Sequence, residues 1–400
     1  MYENLKKYIK GDTKIWGIII FLSVASILVV FSATGDLAYK YRGGNTSYYM
    51  FKQLGSMITG ILIIIAMSNI PYRYYSRFST LFLYLSIGLL IYALFFGINL
   101  NEATRWVRVP FIGLKFQPSE LAKIAIILFV ARMLAQNQND KEALKKSFFP
   151  IIIHTTIVFL LIVKDNFSTA VLIFGVVFLM LIIGRMPFKY IFGTGFCGVI
   201  ILILILLVAP KLPFMQRGET WEGRFETFKP FSRNIADNQN NYQLNQAKIA
   251  IASGGFLGKG PGNSEQRNFL PHPYSDFIYA IIAEEYGFWG ALLTLGAYLY
   301  FLRRIGVIVR KSTKAFPAFM TLGLGLLIVS QAILNMAVSV GILPVTGQPL
   351  PLLSMGTTSI VSSCIALGAI LSVSEWNRFP QTSSEAGGDE EHIPQNPSEE

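Results

Sequence analysis

Residues 254–285 contain the residue types and spacing best suited to chemistry. They read GGFLGKGPGNSEQRNFLPHPYSDFIYAIIAEE and include five glycines and three prolines. A glycine-rich backbone can bring its N–H groups close to an anionic ligand. Asp276 lies where this polar segment meets an apolar helix, and charges in or beside a membrane span are costly and usually functional. The segment predicts chemistry on a phosphate-bearing, lipid-borne substrate.

The carboxylates of this segment have a structural alternative. Ser275 or Asp276 could cap the following helix. Glu284 lies eight residues after Asp276, which places it about 12 Å further along a helix and about 80° around it. Capping explains neither Glu284 nor Glu285. We therefore expect Asp276 to be the reactive group and Glu284 to structure the cavity and contribute to substrate binding.

Basic residues surround the glycines. Lys259 lies within the glycine run, and Lys248 and Arg267 flank it. Ammonium and guanidinium groups suit a pyrophosphate. We expect Lys259 and the backbone at Gly260 and Gly262 to bind this part of the substrate.

A second polar segment, RWVRVPFIGLKFQPSELAK, occupies residues 105–123. Pro118 suits the first position of a helix, and a glutamate suits its first turn. Glu120 and Lys123 are three residues apart and share a helix face. They could form a simple ion pair, or they could line a polar cavity together with Arg105.

The composition indicates a polytopic membrane protein. The 400 residues are 52% hydrophobic, with a mean hydropathy of +0.49, and only 14% are charged. A soluble domain has about 25% charged residues. The net charge of +11 comes from basic residues that flank apolar segments, which indicates membrane topology and not nucleic-acid binding.

The apolar segments predict an all-α fold of ten transmembrane helices, since one span needs about 20 apolar residues. The predicted spans are about 16–33, 53–70, 79–98, 119–135, 150–163, 168–184, 190–209, 276–301, 317–341 and 353–374.

The charge pattern predicts the topology. Lysines precede the first span, and the short inner loops are basic, so both termini are expected in the cytoplasm. Residues 1–375 would form the membrane domain, with a large outer loop at 210–275 between helices 7 and 8. The acidic segment 376–400 is expected to be a disordered cytoplasmic tail.

Two further outer segments have a simple structural explanation. The turn at Asp165 and Asn166 favours a solvated connection between helices. Residues 335–359 contain glycines and prolines, and irregular backbone at membrane depth is tolerated only where it lines a cavity or is buried in protein. A plain hairpin is the alternative for this second segment.

The chain resembles the SEDS family, whose members include RodA, FtsW and SpoVE. Four sequence blocks carry the resemblance, at 105–123, 165–170, 246–287 and 341–356. The segment KGPGNSEQRNFLPHPYSDFIY and the acidic tail are more similar to FtsW than to RodA. Two positions depart from the family pattern: Asn166 stands where an aspartate is common, and Ser354-Met355-Gly356-Thr357 replaces Ser-Tyr-Gly-Gly.

The resemblance implies a peptidoglycan glycosyltransferase. Such enzymes polymerise lipid II at the outer face of the cytoplasmic membrane, beside a class B penicillin-binding protein and, for FtsW, other division proteins at the septum. The essential aspartate of the family corresponds to Asp276, and its Arg, Glu and Lys correspond to Arg105, Glu120 and Lys123. We expect Asp276 to act as the general base and Arg105 and Lys123 to hold the pyrophosphate, with Glu120 orienting Lys123 or tuning its charge. A divalent cation on the pyrophosphate is compatible with this chemistry, and no other cofactor is expected. The rival hypotheses are a lipid II flippase and a non-catalytic scaffold of the division machinery.

Overall fold

The computed structural model describes residues 10–100, 103–108, 115–138, 140–164, 166–208 and 239–378. The predicted tail beyond residue 378 and residues 209–238 of the predicted outer loop lie outside this part of the chain.

Twelve α-helices and three short strands occur in the described residues. The helices are α1 (Thr13–Ala33), α2 (Gly35–Arg42), α3 (Thr46–Ser68), α4 (Tyr72–Phe96), α5 (Pro118–Gln136), α6 (Lys141–Val163), α7 (Phe167–Ile183), α8 (Phe188–Val208), α9 (Gln239–Gly254), α10 (Ile278–Lys311), α11 (Ala315–Ser339) and α12 (Thr357–Trp376). The strands are β1 (Ile98–Leu100), β2 (Ala103–Arg108) and β3 (Lys115–Phe116).

Seven of these helices are long and apolar enough to cross a membrane: α1, α3, α4, α6, α10, α11 and α12. Helix α5 carries Glu120, Lys123 and Arg132 within 19 residues. Helix α7 is 17 residues long. Each of the ten predicted apolar segments overlaps one helix of the structure.

Several helix boundaries differ from those predicted. The fifth predicted span was short because α6 begins nine residues earlier, at Lys141, where Asp140 accepts a 2.9 Å hydrogen bond from the N–H of Glu142. The helix then continues through Pro150. The predicted outer loop contains a helix, α9, which packs on α10. Its polar first half, QNNYQLNQ, gave no apolar period that would predict it.

The connection between α4 and α5 forms a small antiparallel sheet in the order β1–β2–β3. Ile98 pairs with Trp106, and Val107 pairs with Phe116. One residue separates β3 from Pro118, the first residue of α5. The sheet therefore leads directly into the polar start of that helix.

Helix α5 lies at the centre of the bundle and is buried on almost all sides. It packs against α4, α6, α11 and α12. A helix that is apolar all round belongs in a protein core, and the run from Ala122 to Ala131 fits this except at Lys123. The polar groups of its first turn are thereby carried into the interior of the bundle.

Candidate active site

A buried ion pair occupies the first turn of α5. Lys123 Nζ lies 2.9 Å from Glu120 Oε1, and both side chains are almost fully buried. Ser362 of α12 donates a 2.6 Å hydrogen bond to the other carboxylate oxygen of Glu120. Pro118 occupies the start of the helix, as predicted. The spacing of Glu120 and Lys123 thus produces an ion pair, the simpler of the two arrangements expected from the sequence.

Helix α11 connects this ion pair to the segment that follows α11 in the chain. Gln331 Oε1 accepts a 3.0 Å hydrogen bond from Lys123 Nζ, and Gln331 Nε2 donates to the carbonyl oxygen of Pro349 at 2.9 Å. Asn335, one helical turn further, donates from Nδ2 to the carbonyl oxygens of Asp276 at 2.8 Å and Gln348 at 2.7 Å. Residues four apart share a helix face. The two amides on this face of α11 therefore hold the backbone of Asp276 and the backbone of residues 348–349.

The carboxylate of Asp276 is not used for helix capping. The residue that caps α10 is Phe277, and no side chain makes a capping hydrogen bond there. Ser275 Oγ donates to Asp276 Oδ1 at 2.8 Å. A Cβ at Gly347 would lie 3.6 Å from Asp276 Oδ2. Asp276 is half-buried, and the capping alternative for Ser275 and Asp276 is therefore wrong.

The turn before α7 is joined to the same region. Gln348 Nε2 donates to Thr169 Oγ1 at 2.8 Å and to Asn166 Oδ1 at 3.3 Å. Asn166 also caps α7 by accepting from the N–H of Thr169. Asn166 is thus part of the buried polar contacts and not of a solvated turn. Asp165 lies outside the described residues.

The segment between α11 and α12 is irregular and packed inside the protein. Gln348, Leu350, Leu352 and Leu353 are buried, and Ser354 Oγ donates to the carbonyl oxygen of Ser275 at 2.6 Å. This confirms that the irregular backbone is buried, as expected at membrane depth.

The glycine run packs against a break in α10. Gly287 has φ 66° and ψ −161°, which interrupts the helix. The N–H groups of Lys259 and Gly260 donate to the carbonyl oxygens of Glu284 and Glu285 at 3.0 and 2.9 Å. The break leaves these carbonyl oxygens without N–H donors from the helix, and the N–H groups of the glycine run donate to them instead. The N–H groups of Lys259 and Gly260 are therefore engaged within the chain, and the binding of pyrophosphate by this backbone stays a prediction.

Close approach explains why glycine is needed here. A Cβ at Gly258 would lie 2.2 Å from the carbonyl oxygen of Glu285. Gly258, Gly260 and Gly262 all have positive φ angles, of 81°, 92° and 81°, which glycine adopts without steric cost. Around Gly262, by contrast, no atom lies within 4 Å of an added Cβ.

Glu284 organises the segment that follows the glycines. Its fully buried carboxylate accepts hydrogen bonds from Lys259 Nζ at 2.9 Å, Ser264 Oγ at 2.5 Å and the N–H of Glu265 at 3.1 Å. The hydrogen bond from Lys259 to Glu284 raises the pKa of that ammonium above its usual value. Lys259 also lies 3.3 Å from Glu265. The positive charge of Lys259 is therefore paired with two carboxylates of the same chain, Glu284 and Glu265.

Glu285 faces a different neighbour from Glu284. Ser32 of α1 donates to its carboxylate, and Arg267 donates to the carbonyl oxygen of Ser32 at 3.1 Å. These contacts join the end of α1 to the segment after the glycine run.

The structure brings some predicted site residues together and separates others. The Glu120–Lys123 pair and Asp276 are connected through Gln331 and Asn335. Lys259, Gly260, Gly262 and Glu284 form a separate structural unit. Arg105 lies in β2, and its side chain lies outside what the structure describes.

The contacts of Gln331, Asn335 and Gln348 were not predicted from the sequence. Amide side chains spaced four apart inside an apolar helix, as at Gln331 and Asn335, were a usable signal, because polar groups within membrane helices are costly. Among the described residues, no group of three or more His, Cys, Asp or Glu side chains is placed to hold a metal ion.

Comparisons with known proteins agree with this architecture. Residues 12–378 match the FtsW, RodA and SpoVE family, described as "Cell cycle protein". The chain is 32% identical over 367 residues to the "Probable peptidoglycan glycosyltransferase FtsW" of Pseudomonas fluorescens, covering 90% of this chain and 86% of the relative. The protein of the same name from Nitrosomonas europaea is 30% identical, with coverages of 92% and 94%.

Two solved structures share the fold. A chain from "Structural coordination of polymerization and crosslinking by a peptidoglycan synthase complex" gives a TM-score of 0.69 at 23% identity, covering 92% of this chain and 98% of that one. The Thermus thermophilus rod shape determining protein RodA gives 0.64 at 22% identity, with the same coverages. Together with the seven apolar helices, the matches identify a multi-pass membrane protein, and the chain belongs to the FtsW, RodA and SpoVE family of cell cycle proteins.

Proposed function

We propose that this protein is a peptidoglycan glycosyltransferase that polymerises lipid II into glycan strands during cell division. The names of its relatives support this activity. The observation that carries the chemical part of the proposal is Asp276, whose half-buried carboxylate is held at the entrance of α10 without capping it. A carboxylate of this kind is available to a substrate.

Asp276 acts as the general base in this mechanism. The acceptor sugar hydroxyl attacks the anomeric carbon of the donor and transfers its proton to the Asp276 carboxylate. The new carbon–oxygen bond forms as the bond from the anomeric carbon to the pyrophosphate breaks. The lipid pyrophosphate leaves with the electron pair of that bond. Direct displacement inverts the donor from an α-linked pyrophosphate to a β-linked glycan.

The ion pair of α5 acts on the site indirectly, through α11. Lys123 is buried against Glu120 and Gln331. We therefore assign it a positioning role: it holds Gln331 and so the face of α11 from which Asn335 binds the Asp276 backbone. Arg105 is the residue assigned to the departing pyrophosphate, since a guanidinium matches phosphate oxygens well. Lys259, Gly260, Gly262 and Glu284 are assigned to building the glycine-rich segment.

The proposed setting is the outer face of the cytoplasmic membrane at the division septum. Ten helices overlap the predicted spans, which supports ten membrane crossings and so both termini on one side. The basic short loops assign that side to the cytoplasm. A class B penicillin-binding protein is the proposed partner that crosslinks the product. The fold shared with a chain of a peptidoglycan synthase complex supports such an assembly.

The test uses the full chain purified with its candidate class B transpeptidase. The complex is incubated with lipid II, and moenomycin is present to suppress unrelated polymerases. We expect glycan ladders on a gel. If a folded complex yields no polymer but moves lipid II across reconstituted vesicles, the protein is a flippase and the proposal is wrong.

A further inference from the structure

The structure contains a cleft of ≈ 480 Å³ whose lining ends at Tyr274, two residues before Asp276 in the chain. Helix α2 forms one wall, the start of α9 forms another, and residues 268–274 form the third. Its volume falls in the range of about 300–1,000 Å³ typical of sites for small ligands. Tyr274, at the end of the third wall, is separated from the proposed base by one residue of the chain, Ser275.

Three tyrosines contribute to the walls of the cleft: Tyr41 from α2, Tyr242 from α9 and Tyr274. Tyrosine combines a flat apolar ring with a hydroxyl. The amides of Gln243 and Asn268 also line the cleft, and each can both donate and accept hydrogen bonds. Flat rings beside hydroxyls and amides match a sugar, whose C–H face stacks on aromatic rings while its hydroxyls make hydrogen bonds.

The charge of the described lining favours an uncharged ligand. Its two ionised side chains, Asp36 and Lys40, pair with each other at 2.7 Å. Neither charge is left over for an anion. A pyrophosphate site needs uncompensated cations, whereas a sugar ring needs none.

The third wall is held in a fixed shape. His272 has a φ of 57°, a sparsely populated conformation for a side chain that is not glycine. This conformation brings the His272 ring nitrogen within 3.1 Å of the Tyr274 hydroxyl. The carbonyl oxygen of Tyr274 accepts a 2.9 Å hydrogen bond from the N–H of Met355. Tyr274 is therefore oriented on the cleft side and anchored on the side of the segment before α12.

We propose that this cleft is a saccharide subsite that binds N-acetylated hexosamine units next to Asp276. This inference rests on the proposed function and deepens it. The same sugar chemistry is present in the lipid-linked monomer and in the growing glycan strand. A cleft that opens beside the base can hold a ring adjoining the reacting one from either source.

The test compares four forms of the full chain: wild type, Tyr41→Ala, Tyr242→Ala and Tyr39→Ala. Tyr39 lies on the same helix as Tyr41, is 79% exposed and does not line the cleft, so Tyr39→Ala is the matched control. The probe is a tetrasaccharide of β-1,4-linked N-acetylglucosamine, which carries N-acetylated hexosamine rings and no charge. Saturation-transfer NMR measures its binding in detergent.

We expect wild type and Tyr39→Ala to bind the tetrasaccharide, and each of the two cleft variants to weaken binding by at least about ten-fold. In polymerisation assays, a raised KM for lipid II would identify the monomer as the occupant. Shorter glycans at an unchanged KM would identify the growing strand. Unchanged binding, KM and product length in both cleft variants would overturn the proposal.

An added variant separates this proposal from the proposed function. Asp276→Asn removes the proposed base but leaves the cleft lining intact, so it should still bind the tetrasaccharide. If wild type polymerises lipid II but does not bind the probe, the cleft assignment fails while the enzyme assignment stands. If wild type binds the probe but makes no polymer, the enzyme assignment fails while the cleft assignment stands.

Discussion

The backbone carbonyl oxygen of Asp276 accepts a 2.8 Å hydrogen bond from Nδ2 of Asn335. The same nitrogen donates to the carbonyl oxygen of Gln348. One buried amide on α11 therefore fixes the proposed base and the segment facing it. This relationship makes Asn335 a positioning residue, and its neighbour Gln331 extends the contact to Lys123.

Replacing Asn335 with leucine tests this positioning. Asn335→Leu keeps the branched shape of the side chain but leaves two carbonyls without a donor, which costs about 1–3 kcal/mol each in stability. We expect the polymerisation rate to fall by at least about ten-fold, because the Asp276 backbone is no longer held in place. A ten-fold loss corresponds to about 1.4 kcal/mol in activation free energy. Thr321→Val on the same helix is the control, because Thr321 Oγ1 is buried without a hydrogen-bond partner. Equal rates for the two variants would argue against a positioning role.

The ion pair at the start of α5 gives a prediction about stability. Lys123→Met leaves the buried Glu120 carboxylate without its counter-charge, which typically costs about 3–5 kcal/mol. Combining it with Glu120→Leu removes the unpaired charge and should recover much of the melting temperature. Polymerisation should not recover, because the contact to Gln331 is still absent.

Thermal unfolding in detergent and the lipid II assay measure these two effects separately. A double variant no more stable than Lys123→Met would contradict the account of the pair. Recovery of polymerisation in the double variant would contradict the role given to the Lys123–Gln331 contact.

The glycine run gives a matched pair of substitutions. Gly258→Ala places a Cβ 2.2 Å from the Glu285 carbonyl oxygen, whereas Gly262→Ala meets open space at the same φ of 81°. Both variants carry the left-handed strain of about 1–2 kcal/mol. Only Gly258→Ala should also separate the segment from α10. Melting temperatures should therefore fall clearly more for Gly258→Ala, and equal losses would show that contact with α10 does not matter.

Lys259 distinguishes a structural role from direct binding of pyrophosphate. Its ammonium pairs with Glu284 and Glu265, so Lys259→Met should lower the melting temperature with little change in the KM for lipid II. Loss of a pyrophosphate contact would instead raise the KM. Steady-state kinetics at a temperature well below the melting transition measures this, and a several-fold rise in KM would restore the role first expected from the sequence.

Local sequence patterns predicted part of this site well. The i, i+3 spacing of Glu120 and Lys123 predicted that they share a helix face, because helix geometry fixes that relationship. The ion pair was one of two arrangements left open by the sequence, and the structure shows that pair. Asp276 was chosen as the candidate base because a carboxylate at the edge of an apolar span has few structural explanations, and that role stays a prediction. Such inferences depend only on neighbours along the chain.

Contacts between distant segments were not predictable in the same way. The glycines were interpreted as a cradle for an anion, but their amides satisfy carbonyls freed by the break at Gly287. Both uses need the same backbone flexibility, and only the packing against α10 distinguishes them. Helix α9 was missed because its polar first half has no apolar period, and it is packed on α10 by tertiary contacts.

The role of Asp276 as the general base is tested by the initial rate of lipid II polymerisation in Asp276→Asn. The change keeps the shape of the side chain and removes the base. Ser275→Ala is the control, because it loses only the hydroxyl that donates to Asp276 Oδ1. Co-purification with the transpeptidase and the melting temperature verify folding. We expect a rate about 10²–10⁴-fold lower for Asp276→Asn and a rate near wild type for Ser275→Ala. A folded Asp276→Asn enzyme that polymerises at nearly the wild-type rate would contradict that role.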